Sequence, residues 1–202
     1  MDSPLKIREG VRQAYSRIAI APQLDHPFRT GRELAEELGY PSDLLASLPA
    51  LSVDAFCGVS IVSLVAEIPE GATVLDLGSG AGMDTIIVSR RTGEKGKVIA
   101  VDFSETMLQR ACEALKEGNA VNVETRLADA EALPLEDQSI DVVVVNGIFN
   151  LNPNREAIFL ELARVVKPGG AVYAAEPVLL AELSEEILKE GNCSLNEANW
   201  FS

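Results

Sequence analysis

Cysteine is scarce in this chain. Cys57, Cys112 and Cys193 are spread over 202 positions, too few and too scattered to form a disulfide framework. A reducing, cytoplasmic compartment is the expectation. Histidine occurs once, as His26, and no grouping of side chains reads as a catalytic triad or a metal cluster. No apolar run approaches the ~20 residues that a membrane span requires. The opening MDSPLKIREG contains no apolar signal core. Positive charge is also short, with 17 Lys and Arg against 31 Asp and Glu and a formal net charge of −14. Nucleic-acid binding rests on cationic side chains neutralising phosphates, so this balance argues against such a partner.

What is present is an ordinary globular composition, 47% hydrophobic and 24% charged, in a length that suits one structural unit with a sizeable core. Its organising stretch is residues 73–82, TVLDLGSGAG. An apolar run (Val74, Leu75, Leu77) breaks into Gly78, Gly80 and Gly82, and a helical pattern follows from Met83. That is a buried strand, a tight turn and a helix, the opening of a Rossmann-type unit. The glycines let the backbone turn sharply and leave no side chain between loop and ligand. Asp76 lies two places before the first of them. A turn that holds pyrophosphate at a helix N-terminus favours a negative ligand, and a carboxylate at its mouth repels one. A ligand with a cationic tail fits better.

Upstream, Ile7, Val11, Tyr15 and Ile18 recur at helical spacing, with Lys6, Arg8, Arg12 and Arg17 elsewhere on the wheel, which predicts an amphipathic helix over 4–20. Residues 21–30, with two prolines and His26 in DHPF, read as a loop placed to act as a lid. Helices are expected at 31–38 and, capped by Ser42, at 43–48. A connector of small residues, LPALSVDAFCGVS, precedes a helix expected over 59–68 and stopped by Pro69 and Gly71. From there strands are expected at 73–77, 97–101, 122–127, 140–145 and 171–176, and helices at 83–91, 104–117 and 154–166. Such alternation means a mainly parallel sheet with helices on both faces. Ser104 is the expected cap of the second of these helices, Pro153 suits the first turn of the third, and KPGG at 167–170 ends it. Beyond Glu176 only a short helix at 184–190 and a polar tail are expected, leaving the fifth strand as an edge.

Polar features fall at the ends of successive strands, the carboxyl edge where open α/β sheets bind ligands. Asp102 closes VIAVDFS, 24 positions after Gly78, where Rossmann-type sites place an acid that accepts hydrogen bonds from a ribose. Helix capping is the alternative for Asp102, and Ser104 is the better cap. Phe103 and Met107 are placed as apolar walls for the adenine, with packing onto the sheet as the alternative for Met107. The fourth strand, in IDVVVVNGIFNL, is apolar throughout, hence central, and ends at Asn146 and Gly147.

These motifs resemble the class I S-adenosylmethionine-dependent methyltransferases. From Val11 to about Val178 the chain resembles the arsenite methyltransferases and their ubiquinone/menaquinone-type relatives, through LGYPSDLLASLP, FCGVS, VLDLGSGAGMD, VDFSETMLQRA and LARVVKPGG. The glycine and PGG motifs are widely shared, whereas the LGY…LASLP…CG segment is narrower and points to the arsenite group. The resemblance implies an α/β, Rossmann-like class I methyltransferase fold with an N-terminal helical cap or lid over 1–70 and a cofactor domain over 71–202. The two last strands of the usual sheet are not found in the sequence. It implies S-adenosylmethionine as cofactor, S-adenosylhomocysteine as product, a small-molecule methyl acceptor, and a homodimer contact through the fifth-strand edge. It sets Asp129 against the adenine amine with Ala130 offering a backbone amide. These join Asp76, Gly78, Ser79, Gly80, Gly82, Asp102, Phe103, Met107 and Asn146 as the expected cofactor set.

Tyr15 resembles a family tyrosine that closes over the cofactor, ordinary burial being the alternative. Cys57 matches one position at which the family holds arsenic through soft thiolates. The pattern then departs. Gly147 stands where the family carries a cysteine after the asparagine, the loop APQLDHPF has none, and Cys193 corresponds loosely to a later one. Cys112 shares the inner stripe of its helix with Leu108 and Leu115, as a core thiol would. At most two thiols meet, which argues against arsenite as the acceptor. Transfer from a sulfonium needs little covalent help, and the catalytic candidates are only Tyr15, His26 and Cys57. Two other readings stay open. One is a module that binds the cofactor but has lost its acceptor site; the other is a dinucleotide-dependent oxidoreductase, against which Asp76 and Asp129 argue.

Overall fold

The structure is a computed structural model and describes residues 4–26 and 28–178. Five strands form one sheet: β1 (Thr73–Leu77), β2 (Lys97–Asp102), β3 (Val123–Leu127), β4 (Ile140–Asn146) and β5 (Val166–Ala175). All neighbours are parallel and the order is β3-β2-β1-β4-β5. The order reverses between β1 and β4, which opens a crevice outside their carboxyl ends. Register brings Leu77 level with Val101 on one side and Val145 on the other, so the loops after β1, β2 and β4 leave the sheet together.

β1 and β4 are apolar because both faces are covered. Leu75, Leu77, Val143 and Val145 face Ile158 and Leu162 of α8 (Arg155–Val165). Val74, Val142 and Val144 face Val88 of α6 (Met83–Thr92) on the opposite side. α7 (Glu105–Glu117) packs on β2 and β3, and its Ser104 cap accepts from Met107 N at 3.3 Å. Over α6 and α7 lies the N-terminal layer: α1 (Pro4–Ile20), α2 (Gly31–Leu38), α3 (Ser42–Ala46), α4 (Ala50–Asp54) and α5 (Val62–Val65). Ala35, Leu45 and Val53 of this layer are buried against Ile86 and Ala114. No described helix is long and apolar enough to cross a membrane.

The strands and major helices lie within a few residues of their predicted positions; the differences sit in the N-terminal layer and at β5. Ser42 is the first helical residue and makes no cap; Pro41 holds the cap position. The expected connector 48–60 contains the α4 turn, with Pro49 at its start. The expected helix 59–68 shrinks to the one turn Val62–Val65, and the Ser60 carbonyl, which a helix from residue 59 would use, accepts from the Asn146 side chain instead. Pro153 precedes α8, whose cap position is Asn154. β5 begins at Val166, opposite Ile140, and KPGG forms an irregularity inside the strand before Ala171 regains register with Val142. Among the described residues β5 pairs with β4 alone, as the edge reading expected. The expected helix at 184–190 and Cys193 lie outside the described residues.

Candidate functional site

An open cavity occupies the crevice at the carboxyl ends of β1, β2 and β4. The glycine turn forms its floor. Gly78 N and Ser79 N donate to Val101 O at 2.8 and 3.0 Å, folding the turn across β2. Gly78 takes φ +79°, and a Cβ there would lie 2.3 Å from Ile148 Cγ2. Close packing against the loop after β4 therefore demands this glycine. Gly80 differs: at φ +52° an added Cβ would meet nothing within 4 Å, so its face is open to a ligand. Ser79 Oγ is buried without a hydrogen-bond partner. Buried hydroxyls are rarely left unpaired, so Ser79 is ready for a polar ligand group.

Asp102 is 7% exposed and serves the turn directly. One oxygen accepts Gly80 N and the other Ser104 N, both at 2.8 Å. Burial pushes its pKa up to about 6 against the pull of the Ser104, Gly80 and Phe103 amides. Asp76 accepts from Thr85 Oγ1. Burial, and then the nearby Asp84, push its pKa up to about 7. Two carboxyls destabilised as anions beneath one turn are suited to a cationic ligand, which favours their charged forms. Asp129 lines the rim beside Ala130. It is ion-paired with Arg8 of α1, which also reaches Glu131 at 3.3 Å.

Of the other expected residues, Phe103, 37% exposed, lines the cavity. Met107 does not; it is fully buried with Ile18 and Ala81 where α1 meets α7, and packing explains it. A Cβ on Gly82 would lie 3.3 Å from Ala111 Cβ, so this glycine serves the close approach of α7. Tyr15 lines the cavity with its ring 5.5 Å from Phe28. Burial first, then Cys57, Asp102 and Glu176, hold its hydroxyl well above the ordinary tyrosine value. Cys57 also lines the cavity, its thiol pushed up to about 12 by burial and Asp102. His26 lies away from it and donates Nε2–H to Ala21 O at 3.0 Å. Cys112 is half-buried, with Sγ 3.3 Å from Thr125 Oγ1, so it points to β3 rather than into the core.

Asn146 reaches the cavity, but its amide is committed to the protein. Oδ1 accepts Val59 N (2.8 Å) and Ser60 N (3.1 Å), while Nδ2 donates to Ser60 O (2.9 Å) and Asp84 Oδ2 (2.8 Å). Asp84 was not singled out from the sequence, nor were Arg8 as a latch or Glu176, whose carboxylate accepts Ile148 N and Phe149 N at 2.7 Å. A signal for Asp84 existed. It is an acid in the first turn after the glycine loop, and Tyr40 of the LGY segment donates to it at 2.5 Å.

The family description "Methyltransferase domain" matches residues 68–200. The chain belongs to this family, and its fold is that of the class I S-adenosylmethionine-dependent methyltransferases. It is 35% identical over 198 residues to an arsenite methyltransferase of Halobacterium salinarum, a match spanning 91% of this chain and 50% of that one. It is 42% identical over 106 residues to a demethylmenaquinone methyltransferase of Lactococcus lactis, over 52% of this chain and 42% of that one. The chain thus spans about half the length of these relatives. An arsenic(III) S-adenosylmethionine methyltransferase structure from Chlamydomonas reinhardtii superposes with a TM-score of 0.60 at 24% identity, over 83% of this chain and 57% of that one, a likeness of fold.

Proposed function

We propose that this chain binds S-adenosylmethionine in the crevice and transfers its methyl group to a small-molecule acceptor. The observation that carries the reading is the floor of the cavity: an open Gly80, an unpartnered Ser79 hydroxyl and two buried acids, Asp76 and Asp102, under one turn. The residues present fit the group. Ser79 and the turn would hold the amino-acid tail, Asp102 the ribose, and Asp129 with Ala130 the adenine. When bound, the cofactor supplies a methyl group already activated on a sulfonium. The chain's own part is to orient and to exclude water: Tyr15 and Val11 of α1 close one wall, and Cys57 and Gly58 form another.

The single observation bearing on the acceptor is Cys57. Among the described residues it is the one cysteine on the cavity wall, and its thiol is protonated at neutral pH. Gly147 sits at φ +82°, where a Cβ would meet Val59 Cγ1 at 3.2 Å, so a cysteine there would be strained. Soft metalloids are held by thiolates. We therefore place an organic acceptor ahead of arsenite, and a cofactor-binding module without turnover as the second reading. We also assign the β5 edge, which carries no further strand among the described residues and lies beside exposed Phe159 and Val172, as a homodimer contact; a monomer in light scattering at high concentration removes it.

Calorimetry with S-adenosylmethionine, S-adenosylhomocysteine and NAD tests the central claim. Binding of both sulfur nucleotides and not NAD supports it. Binding of NAD alone points to the oxidoreductase reading, and binding of none removes the cofactor site. An acceptor screen that includes arsenite then separates turnover from mere retention of the cofactor.

A further inference from the structure

Asp84 lies in the first turn of α6, 7% exposed, and does not touch the glycine turn's own hydrogen bonds. One of its oxygens accepts the hydroxyls of Tyr40 and Ser63. The other accepts Asn146 Nδ2 at 2.8 Å. Asn146 in turn holds three backbone groups of Val59 and Ser60, so the segment 57–60 hangs from β4 through one amide. The contact is close: a Cβ on Gly58 would lie 2.4 Å from Asn146 Nδ2. The Tyr40 oxygen, its proton given to Asp84, also lies 3.2 Å from Ser60 O. Three stretches far apart in sequence, at Tyr40, Ser63 and Asn146, thus converge on one carboxyl.

We propose that Asp84 is a positioning residue for the acceptor side of the cavity: by fixing the Asn146 amide it sets where residues 57–60, and with them the Cys57 thiol, stand opposite the glycine turn. The inference rests on reading the cavity as a methyl-transfer site. Anchoring of Asn146 is its physical content. Oδ1 faces the Val59 and Ser60 amides and Nδ2 the Ser60 carbonyl, and Asp84 Oδ2 takes the second Nδ2 proton, tying the amide to α6. Without that acceptor an Nδ2 proton is left buried and unpaired, and residues 57–60 lose their tie to α6. The half-buried Cys57 is a built-in reporter of that wall.

The test uses the full chain and reads iodoacetamide labelling of Cys57 and Cys112 by peptide mass spectrometry, beside calorimetry with S-adenosylhomocysteine. Asp84→Ala is expected to speed Cys57 labelling about tenfold, the scale of one lost buried hydrogen bond. Cys112 labelling should stay within about twofold, as for a site without shared partners. Asp84→Asn is expected to restore slow labelling, since its carbonyl accepts from Asn146 while its amide turns to the two hydroxyls. Unchanged Cys57 labelling in Asp84→Ala, a parallel rise at Cys112, or no rescue by Asp84→Asn would each overturn the proposal. Should Asp84→Ala fail to fold, Asn146→Ala cuts the same link from the other end and should likewise speed Cys57 labelling while leaving Cys112 unchanged. Failure of the wild-type chain to bind S-adenosylhomocysteine would sink the methyl-transfer reading, while the labelling contrast still judges the wall.

Discussion

The two sides of the cavity are built by different means. On the β1–β2 side, backbone amides of Gly80 and Ser104 converge on Asp102 from within one strand–helix–strand unit. On the β4 side, side chains do the joining: Asn146, Asp84 and Tyr40 link segments up to 106 positions apart (146 − 40). The first side is local and repetitive, so it can be carried by a short motif. The second depends on tertiary placement, and can vary while the first is kept. A fold that serves many acceptors with one cofactor needs that division.

Substitutions in the local side should sharpen the contrast most. Asp102→Ala removes the proposed ribose acceptor and leaves the buried Gly80 and Ser104 N–H groups unpaired. An affinity loss for S-adenosylmethionine of about 3 kcal/mol, roughly a hundredfold, is expected in calorimetry. Unchanged affinity would reduce Asp102 to a brace for the loop. Next come the glycines, which separate folding from binding. Gly78→Ala collides with Ile148 and should cost about 2–3 kcal/mol of stability in denaturant unfolding. Gly80→Ala meets open space and should cost about 1 kcal/mol of stability, the left-handed penalty alone. Its methyl group faces the ligand, so affinity should fall about tenfold, a loss on the order of 1.4 kcal/mol. A reversed pattern would mean that the ligand does not lie over Gly80.

A smaller effect concerns pH. Burial raises the pKa of Asp76 to about 7 and of Asp102 to about 6. Between the ordinary carboxylate range and those values the folded state holds more protons than the unfolded one. The contribution of these two acids to stability is therefore full below about pH 4 and is lost as pH rises through 6 to 7. A cationic ligand favours the carboxylates, so its affinity moves the other way, rising on the order of tenfold from pH 5.5 to 8 with proton release on binding. Calorimetry in buffers of different ionisation enthalpy measures that release. An affinity independent of pH would show that neither acid senses the ligand's charge.

The same division decides what was legible in the sequence. Apolar runs ending in glycine or aspartate placed the strands and the carboxyl edge, since sheet neighbours in a βαβ fold follow one another in the chain. Asp76, Asp102 and Asp129 reached the cavity because strand ends place them there. Residues 59–68 misled, because helical periodicity says nothing of an asparagine nearly 90 positions away that claims the Ser60 carbonyl. Met107 misled for a related reason: both a base wall and a helix contact ask for a buried apolar side chain, and only the position of α1 decides between them. Asp84 was passed over because its partners come from α5, β4 and Tyr40 in the loop after α2.

Arg8 tests whether α1 belongs to the cofactor side. It crosses the rim to pair with Asp129 and Glu131, its own side chain 32% exposed and that of Asp129 38%. An ion pair that exposed contributes about 0–1 kcal/mol, so Arg8→Ala should barely change unfolding. Its effect should fall on exchange. α1 also brings Val11 and Tyr15 over the cavity, and the Arg8 pair is what fastens the beginning of that helix to the loop after β3. Stopped-flow dissociation of S-adenosylhomocysteine should quicken by about three- to fivefold in Arg8→Ala, matching a contact of less than about 1 kcal/mol. High salt should reproduce the change in the wild-type chain and leave the variant unaffected, because screening acts on the pair that the variant lacks. Equal salt dependence in both would detach α1 from the cofactor and leave closure to Tyr15 alone.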